Sequence, residues 1–130
     1  MEKIIIKTKR AREIVDITES INSLLRKSSA GDGLCHLFLT HTTAALTCAD
    51  LDPGTDLDML DAYGEMIPKL AFRHPHDPAH VADHIMASLI GASLILPYKK
   101  GELVLGTWQR VVLVEFAGPR EREIILSIAS

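Results

Sequence analysis

Gly33-Leu34-Cys35-His36-Leu37-Phe38-Leu39-Thr40-His41-Thr42-Thr43-Ala44-Ala45-Leu46-Thr47 reads as two strands interrupted by a histidine-bearing loop. Residues 34–40 are largely apolar, the pattern of a buried strand, and Ala44 to Cys48 continues as a further short strand. His41 therefore sits where a buried sheet opens into a loop. Small neighbours leave room for a ligand, and the Thr42 and Thr43 hydroxyls can orient the ring or hold a phosphate oxygen. Imidazole carries a proton or holds a metal near neutral pH without unusual help. The plainer alternative is a core histidine satisfied by a backbone carbonyl.

Upstream, residues 2–8 and 11–17 read as Ile- and Val-rich strands separated by a basic turn at Lys9-Arg10. Thr18 is placed as the N-cap of a helix carrying Ile21, Leu24 and Leu25, which ends at Ser28-Ser29-Ala30-Gly31-Asp32-Gly33. Downstream, Asp52-Pro53 resembles a cap followed by proline at the first helical position. The helix it opens is expected to run to about Met66, with Leu57, Leu60 and Ile67 buried. A proline-bearing loop over 72–78 precedes a helix over 79–91, with Val81, Ile85 and Leu89 as its inner stripe. Strands are expected over 92–98, 102–107, 109–117 and 121–129, with hairpin turns at Lys99-Lys100-Gly101 and Gly118-Pro119. Strands at both ends with helices between them give an α+β fold in a single domain spanning 1–130.

Composition narrows the function classes. A net charge of −3 argues against a nucleic-acid binder, and 5% aromatic residues against a base-stacking platform. No apolar run approaches the roughly 18 residues of a membrane span. No signal-peptide core follows Met1, so a cytoplasmic location and reduced thiols are expected for Cys35 and Cys48.

Six histidines fall in this chain, four of them (His74, His76, His80, His84) within eleven residues. His80 and His84, four apart on one helix, share a face and can converge on one ion or substrate, although the glutamate of a zinc His-Glu-x-x-His motif is missing. A solvated helix face is the plain alternative for His80. Asp50, nine residues after His41, is the acidic residue placed to act as general base, to orient a histidine or to bind Mg²⁺. Trp108 and Gln109, in Gly106-Thr107-Trp108-Gln109, can frame an aromatic or phosphorylated ligand, while a core or interface tryptophan is the commoner case. Arg120 and Arg122 alternate on one sheet face and suit a phosphate clamp or subunit salt bridges.

Together these runs resemble one family, the YjbQ-like proteins. The resemblance is carried by Gly33–Thr47, by Gly101-Glu102-Leu103-Val104-Leu105-Gly106-Thr107-Trp108-Gln109, by Asp52-Pro53 with Asp58, Pro68, His74, His84-Ile85 and Gly91, and by Gly118-Pro119-Arg120-x-Arg122. It implies a two-sheet β-sandwich with two to three helices, assembled as a homotrimer with sites near subunit boundaries. It also implies a secondary thiamine-phosphate synthase activity, joining hydroxymethylpyrimidine diphosphate to a thiazole phosphate with release of diphosphate.

Under that reading His41, Asp50, His74 and His84 form the catalytic pocket, and Thr42, Thr43, Trp108, Gln109 and Arg120 bind a small phosphorylated substrate. His41, His74 and His84 would hold a divalent metal, Mg²⁺ or Zn²⁺. The alternative is a non-catalytic metal- or anion-binding module. Two departures from the family pattern stand out. Ala49-Asp50-Leu51-Asp52-Pro53 is one residue shorter than usual, with Asp50 where a glutamate is expected, and His80 replaces a usual asparagine or aspartate.

Overall fold

A computed structural model describes residues 1–28, 31–74 and 76–129. Ser29 and Ala30 of the expected turn after the first helix, and Pro75 of the histidine loop, lie outside the described residues. The elements follow as β1 (Glu2–Lys7), β2 (Glu13–Asp16), α1 (Thr18–Ser28), β3 (Gly33–Leu39), β4 (Ala44–Ala49) and α2 (Thr55–Met66). After a single 3-10 turn at Pro78–His80 come α3 (Val81–Ile90), β5 (Ser93–Lys99), β6 (Glu102–Leu103), β7 (Arg110–Glu115) and β8 (Glu121–Ala129).

All pairings are antiparallel, in a five-stranded sheet of order β1-β8-β3-β5-β6 and a three-stranded sheet of order β2-β7-β4. The α+β, two-sheet, three-helix architecture thus agrees with the sequence reading. β7 explains how the layers stack. Val111 and Leu113 turn toward the larger sheet and join Leu37, Leu46, Ile124 and Leu126 in the inter-sheet core. Val112, Val114 and Phe116 turn the other way and pack with Leu60, Met86 and Ala87 of α2 and α3. A strand buried on both faces reads as a continuous apolar run, as 111–114 does.

The expected turns at Lys9-Arg10 and Gly118-Pro119 are not hairpins. β1 pairs with β8 and β2 with β7, so both segments carry the chain from one sheet to the other, as does the loop at 40–43. The three crossings meet at one end of the sandwich. Thr8 N–H donates to the Arg120 carbonyl at 2.8 Å, Gly118 N–H to Ala11 at 2.9 Å and Phe116 N–H to Thr43 at 3.1 Å. Position 118 must be glycine there, because a Cβ would run into the Arg10 carbonyl and the Glu115 and Thr8 side chains.

Helix details also differ from expectation. The Thr18 hydroxyl accepts the Val111 N–H at 2.9 Å, while the Asp16 carboxylate accepts the Thr18 N–H at 3.0 Å, so Asp16 takes the capping role. Helix α2 begins behind Gly54, at φ 91°, and the Asp52 side chain does not cap it. Leu60 is buried and Ile67 packs beside it, but Leu57 is 56% exposed. On α3 the inner stripe is Asp83, Met86, Ala87 and Ile90, and Leu89 faces out at 70% exposure. The expected strand over 102–107 shrinks to Glu102–Leu103. Gly106–Gln109 is instead a turn, held by the Gln109 N–H on the Gly106 carbonyl and the Gly106 N–H on Gln109 Oε1.

Candidate functional site

The corner where the three crossings meet is fastened by a buried ion pair. Glu115 and Arg122 are 0% and 1% exposed. Arg122 Nε donates to Glu115 Oε1 at 2.9 Å, its Nη2 donates to Glu115 Oε2, and it also reaches the Thr43 hydroxyl at 2.9 Å. Thr8 donates its hydroxyl to Glu115 Oε1 at 2.7 Å. Burial pushes the Glu115 pKa up. Hydrogen bonds from Arg122, Thr8 and the Ala117 N–H, with the Arg122 charge, outweigh it and hold the carboxyl below its ordinary value. Such a pair tolerates desolvation because both carboxylate oxygens and the Arg122 Nε and Nη2 groups have hydrogen-bond partners.

Arg122 is thereby a strut inside the fold, and the Thr43 hydroxyl is one of its acceptors. Arg120 remains exposed just before β8, its Nε donating to the Ala117 carbonyl at 2.9 Å.

Beside this corner lies a cleft between the 40–43 loop and α3. One chamber, about 740 Å³, is mostly apolar, lined by Phe38, Leu39, Ala44, Ala87, Gly91 and Ala92. The other, about 350 Å³, is polar, lined by His74, Asp77, His80, Ala117, Arg120 and Arg122. Thr40, His41, Thr42 and His84 line both. The structure thus gathers His41, His74, His84, Thr42, Thr43 and Arg120 around one cleft. It adds His80 and Asp77.

The histidines are held in an unusual sense. The Glu123 backbone N–H donates to His41 Nε2 at 2.9 Å. A neutral ring that accepts at Nε2 carries its proton on Nδ1. Burial, then the Arg122 charge, with Arg120 adding, holds the His41 pKa below its ordinary value against the opposing pull of Glu115 and Glu123. His74 repeats the arrangement at its other nitrogen: Nδ1 accepts the His76 and Asp77 N–H groups at 3.3 and 3.1 Å, which leaves the proton on Nε2. His84 stacks on His74, ring centroids 5.6 Å apart and planes 18° from parallel. His80 faces Asp77 through Nε2 at 3.0 Å and Asp83 through Nδ1 at 3.1 Å, and donates to both only as the imidazolium. Arg12 holds the buried Asp83 at 3.0 Å, which ties this turn to the β1–β2 crossing.

Metal-ligating histidines normally donate their second nitrogen's proton to a carbonyl or carboxylate. His41 and His74 do the reverse, accepting from backbone N–H groups, so the nitrogens left over present protons in place of lone pairs. Among the described residues no group of three His, Cys, Asp or Glu is arranged to hold a metal ion. The donor set fits an anion better than a cation.

Asp50, Trp108 and Gln109 are elsewhere. They line a separate surface hollow with Cys48, Ala49, Gly106 and Thr107. His41 precedes β4 and Asp50 follows it, so the six-residue strand holds them apart by about 17 Å at ~3.4 Å per step. Within one chain Asp50 does not join the histidine pocket, and Trp108 and Gln109 do not frame a ligand in it. The strand expected from Ala44 to Cys48 is the element that separates His41 from Asp50. The role of Glu115 had no local signal, since its partner Thr8 comes from a distant segment, whereas Asp77 has its partners His74, Ala79 and His80 within three residues.

Comparison with known proteins places this scaffold. A "YbjQ-like protein of unknown function" from Sulfolobus solfataricus superposes with a TM-score of 0.89 at 35% identity, covering 98% of this chain and 94% of the other. A hypothetical protein from Aeropyrum pernix K1 gives a TM-score of 0.90 at 30% identity, covering 99% and 97%. In sequence, a UPF0047 protein of Methanocaldococcus jannaschii is 37% identical over 124 residues, 95% of this chain and 89% of its own. The UPF0047 protein YugU of Bacillus subtilis is 35% identical over 118 residues, 90% of this chain and 89% of its own. The family model "UPF0047 protein YjbQ-like" matches residues 2–130, and the chain belongs to that family.

Proposed function

We propose that the cleft binds a small phosphorylated ring compound, its ring in the apolar chamber and its phosphate or diphosphate against the imidazole N–H groups and Arg120. In this reading the protein is a homotrimer with weak thiamine-phosphate synthase-type transferase activity, as the family resemblance implies. The observation that carries it is the juxtaposition of the two chambers, which share His41 and His84. A diphosphate leaving group needs N–H donors already aimed at its growing charge, and preorganised donors are the usual means of supplying that stabilisation. The His41 Nδ1–H and His74 Nε2–H protons serve as such donors, and Arg120 adds a full charge. The apolar chamber holds the ring and excludes water from the reacting face. Asp50, on the far side of β4, takes no part within its own chain.

Coupling of hydroxymethylpyrimidine diphosphate to thiazole phosphate by the purified protein, lost in His41→Ala, tests the catalytic reading. Turnover by the variant equal to wild type removes His41 from the mechanism.

The second reading is a non-catalytic binding module for an anion or a metal ion. The stacked His74–His84 pair favours it, because His84 has no hydrogen bond among the described residues and its lone pair stays available. Zn²⁺ or Mg²⁺ that raises the melting temperature, with the gain lost in His84→Ala, supports the metal form. Inorganic diphosphate that does so without turnover supports the anion form.

A further inference from the structure

We propose that His80 is a positioning residue of the cleft: as an imidazolium between Asp77 and Asp83 it fixes the turn that presents His74, and it cancels the carboxylate charge an incoming anion meets. The ligand in this proposal rests on the anion reading given above; the bridge itself does not. His80 Nε2 lies 3.0 Å from Asp77 Oδ2, and its Nδ1 lies 3.1 Å from Asp83 Oδ2. A neutral imidazole has a single N–H, so it would turn a lone pair toward one of the two carboxylates. The charged ring has a donor for each. Asp83 is itself fixed, being 5% exposed and held through Oδ1 by Arg12 Nη2 at 3.0 Å. Asp77 passes the constraint on. Its Oδ1 accepts the Ala79 N–H at 3.0 Å, and its own N–H donates to His74 Nδ1 at 3.1 Å. The contacts thus run from the β1–β2 crossing through α3 to the proton that His74 offers the cleft.

The charges point the same way. Asp77, Arg120, Arg122 and four imidazoles line the polar chamber, with Asp83 and Arg12 behind His80 and Glu115 behind Arg122. Glu115 offsets Arg122, Asp83 offsets Arg12, and Glu123 near His41 is paired with Lys3 at 3.6 Å. That leaves Asp77 against Arg120, which gives a phosphate no net attraction. Burial and the Arg122 charge keep His41 neutral near neutral pH. His74 spends its Nδ1 lone pair on two backbone N–H groups. Among the described residues, His80 is the imidazole of the cleft with carboxylate oxygens on both sides. Its charge covers Asp77 and leaves Arg120 uncompensated, so the chamber turns positive and draws an anion in.

Calorimetric titrations with inorganic diphosphate at about pH 5.5 and about pH 8.5, on either side of the usual histidine range, test the charge. Wild type is compared with His80→Asn, which cannot carry charge, and with His80→Arg, which keeps several donors and a permanent charge. Taking each variant as a ratio to wild type at the same pH divides out the titration of diphosphate and of the other histidines. His80→Arg is expected to match wild type at the lower pH and to bind about tenfold more tightly at the higher. His80→Asn is expected to bind about tenfold more weakly at the lower pH and to match wild type at the higher. Ratios that do not change with pH overturn the proposal.

Carboxylate ¹³C NMR of Asp77 and Asp83 reads the bridge without any ligand. Both signals are expected to move between the two pH values in wild type and to stay in place in His80→Arg. Signals that stay in place in wild type, or that move equally in His80→Arg, overturn the bridge whatever the cleft binds. The expected movement in a chain that binds no diphosphate at either pH keeps the positioning role of His80 and overturns the anion reading.

Discussion

The backbone N–H of Glu123 donates to His41 Nε2 across 2.9 Å, and this contact decides what His41 can do. It fixes the ring between two segments 82 residues apart and turns the Nδ1 proton to whatever else the ring meets. His41→Ala removes that acceptor from a partly buried N–H, at a cost of about 1–3 kcal/mol. The variant is expected to stay folded by circular dichroism, to melt several degrees lower and to bind diphosphate at least tenfold more weakly. Unchanged affinity in calorimetry contradicts the role given to Nδ1–H.

Glu115 and Arg122 hold the corner that positions the cleft. Arg122→Met leaves a buried carboxylate without its partner, and an unfolding loss of about 3–5 kcal/mol is expected in urea. Replacing both, as Glu115→Gln with Arg122→Met, should cost less than the two single losses combined. Additive losses mean the pair is not coupled.

Acid is expected to destabilise the fold in two steps. The His41 pKa in the folded chain lies below the 6.5 of the free side chain, so the unfolded chain takes up that proton first as the pH drops. The stability tied to neutral His41 is complete above pH 6.5 and is lost as the pH falls from there through the folded-state value. Glu115, lowered from 4.5, contributes above that value and loses its share as the pH falls further. Urea midpoints between about pH 8 and pH 2 measure this. A His41→Ala chain should lose the upper step and keep the lower.

The two faces of α3 are readily separated. Met86 is 3% exposed and Leu89 is 70% exposed. Met86→Ala is expected to cost about 2–5 kcal/mol, and Leu89→Ala to change the stability of the monomer by less than about 0.5 kcal/mol. Reversed magnitudes favour the Val81-Ile85-Leu89 stripe.

That face was misread for a physical reason. From Ile85 to Ile90 every residue except Ser88 is apolar, so several stripes fit a 3.6-residue period. The packing of Phe116, Val112 and Val114 beneath the helix selects one of them. The strand order had the opposite character. Apolar runs at 34–39 and 111–114 announce buried strands by themselves, whereas the turn residues at Lys9-Arg10 and Gly118-Pro119 do not say which sheet follows.

His41 was legible in the candidate site because it ends an apolar run. Glu123, which orients it, sits in a β8 partner strand and carries no local mark of that role. Asp50 was drawn into the pocket by closeness in sequence, a poor guide once β4 is extended between them.

The most direct test of the account is ¹⁵N-resolved NMR of the imidazoles at neutral pH, with and without inorganic diphosphate. His41 is predicted to show a protonated Nδ1 and His74 a protonated Nε2, both proton signals moving as diphosphate is added. Unprotonated nitrogens at those two positions, shifting with Zn²⁺ and indifferent to diphosphate, would contradict it.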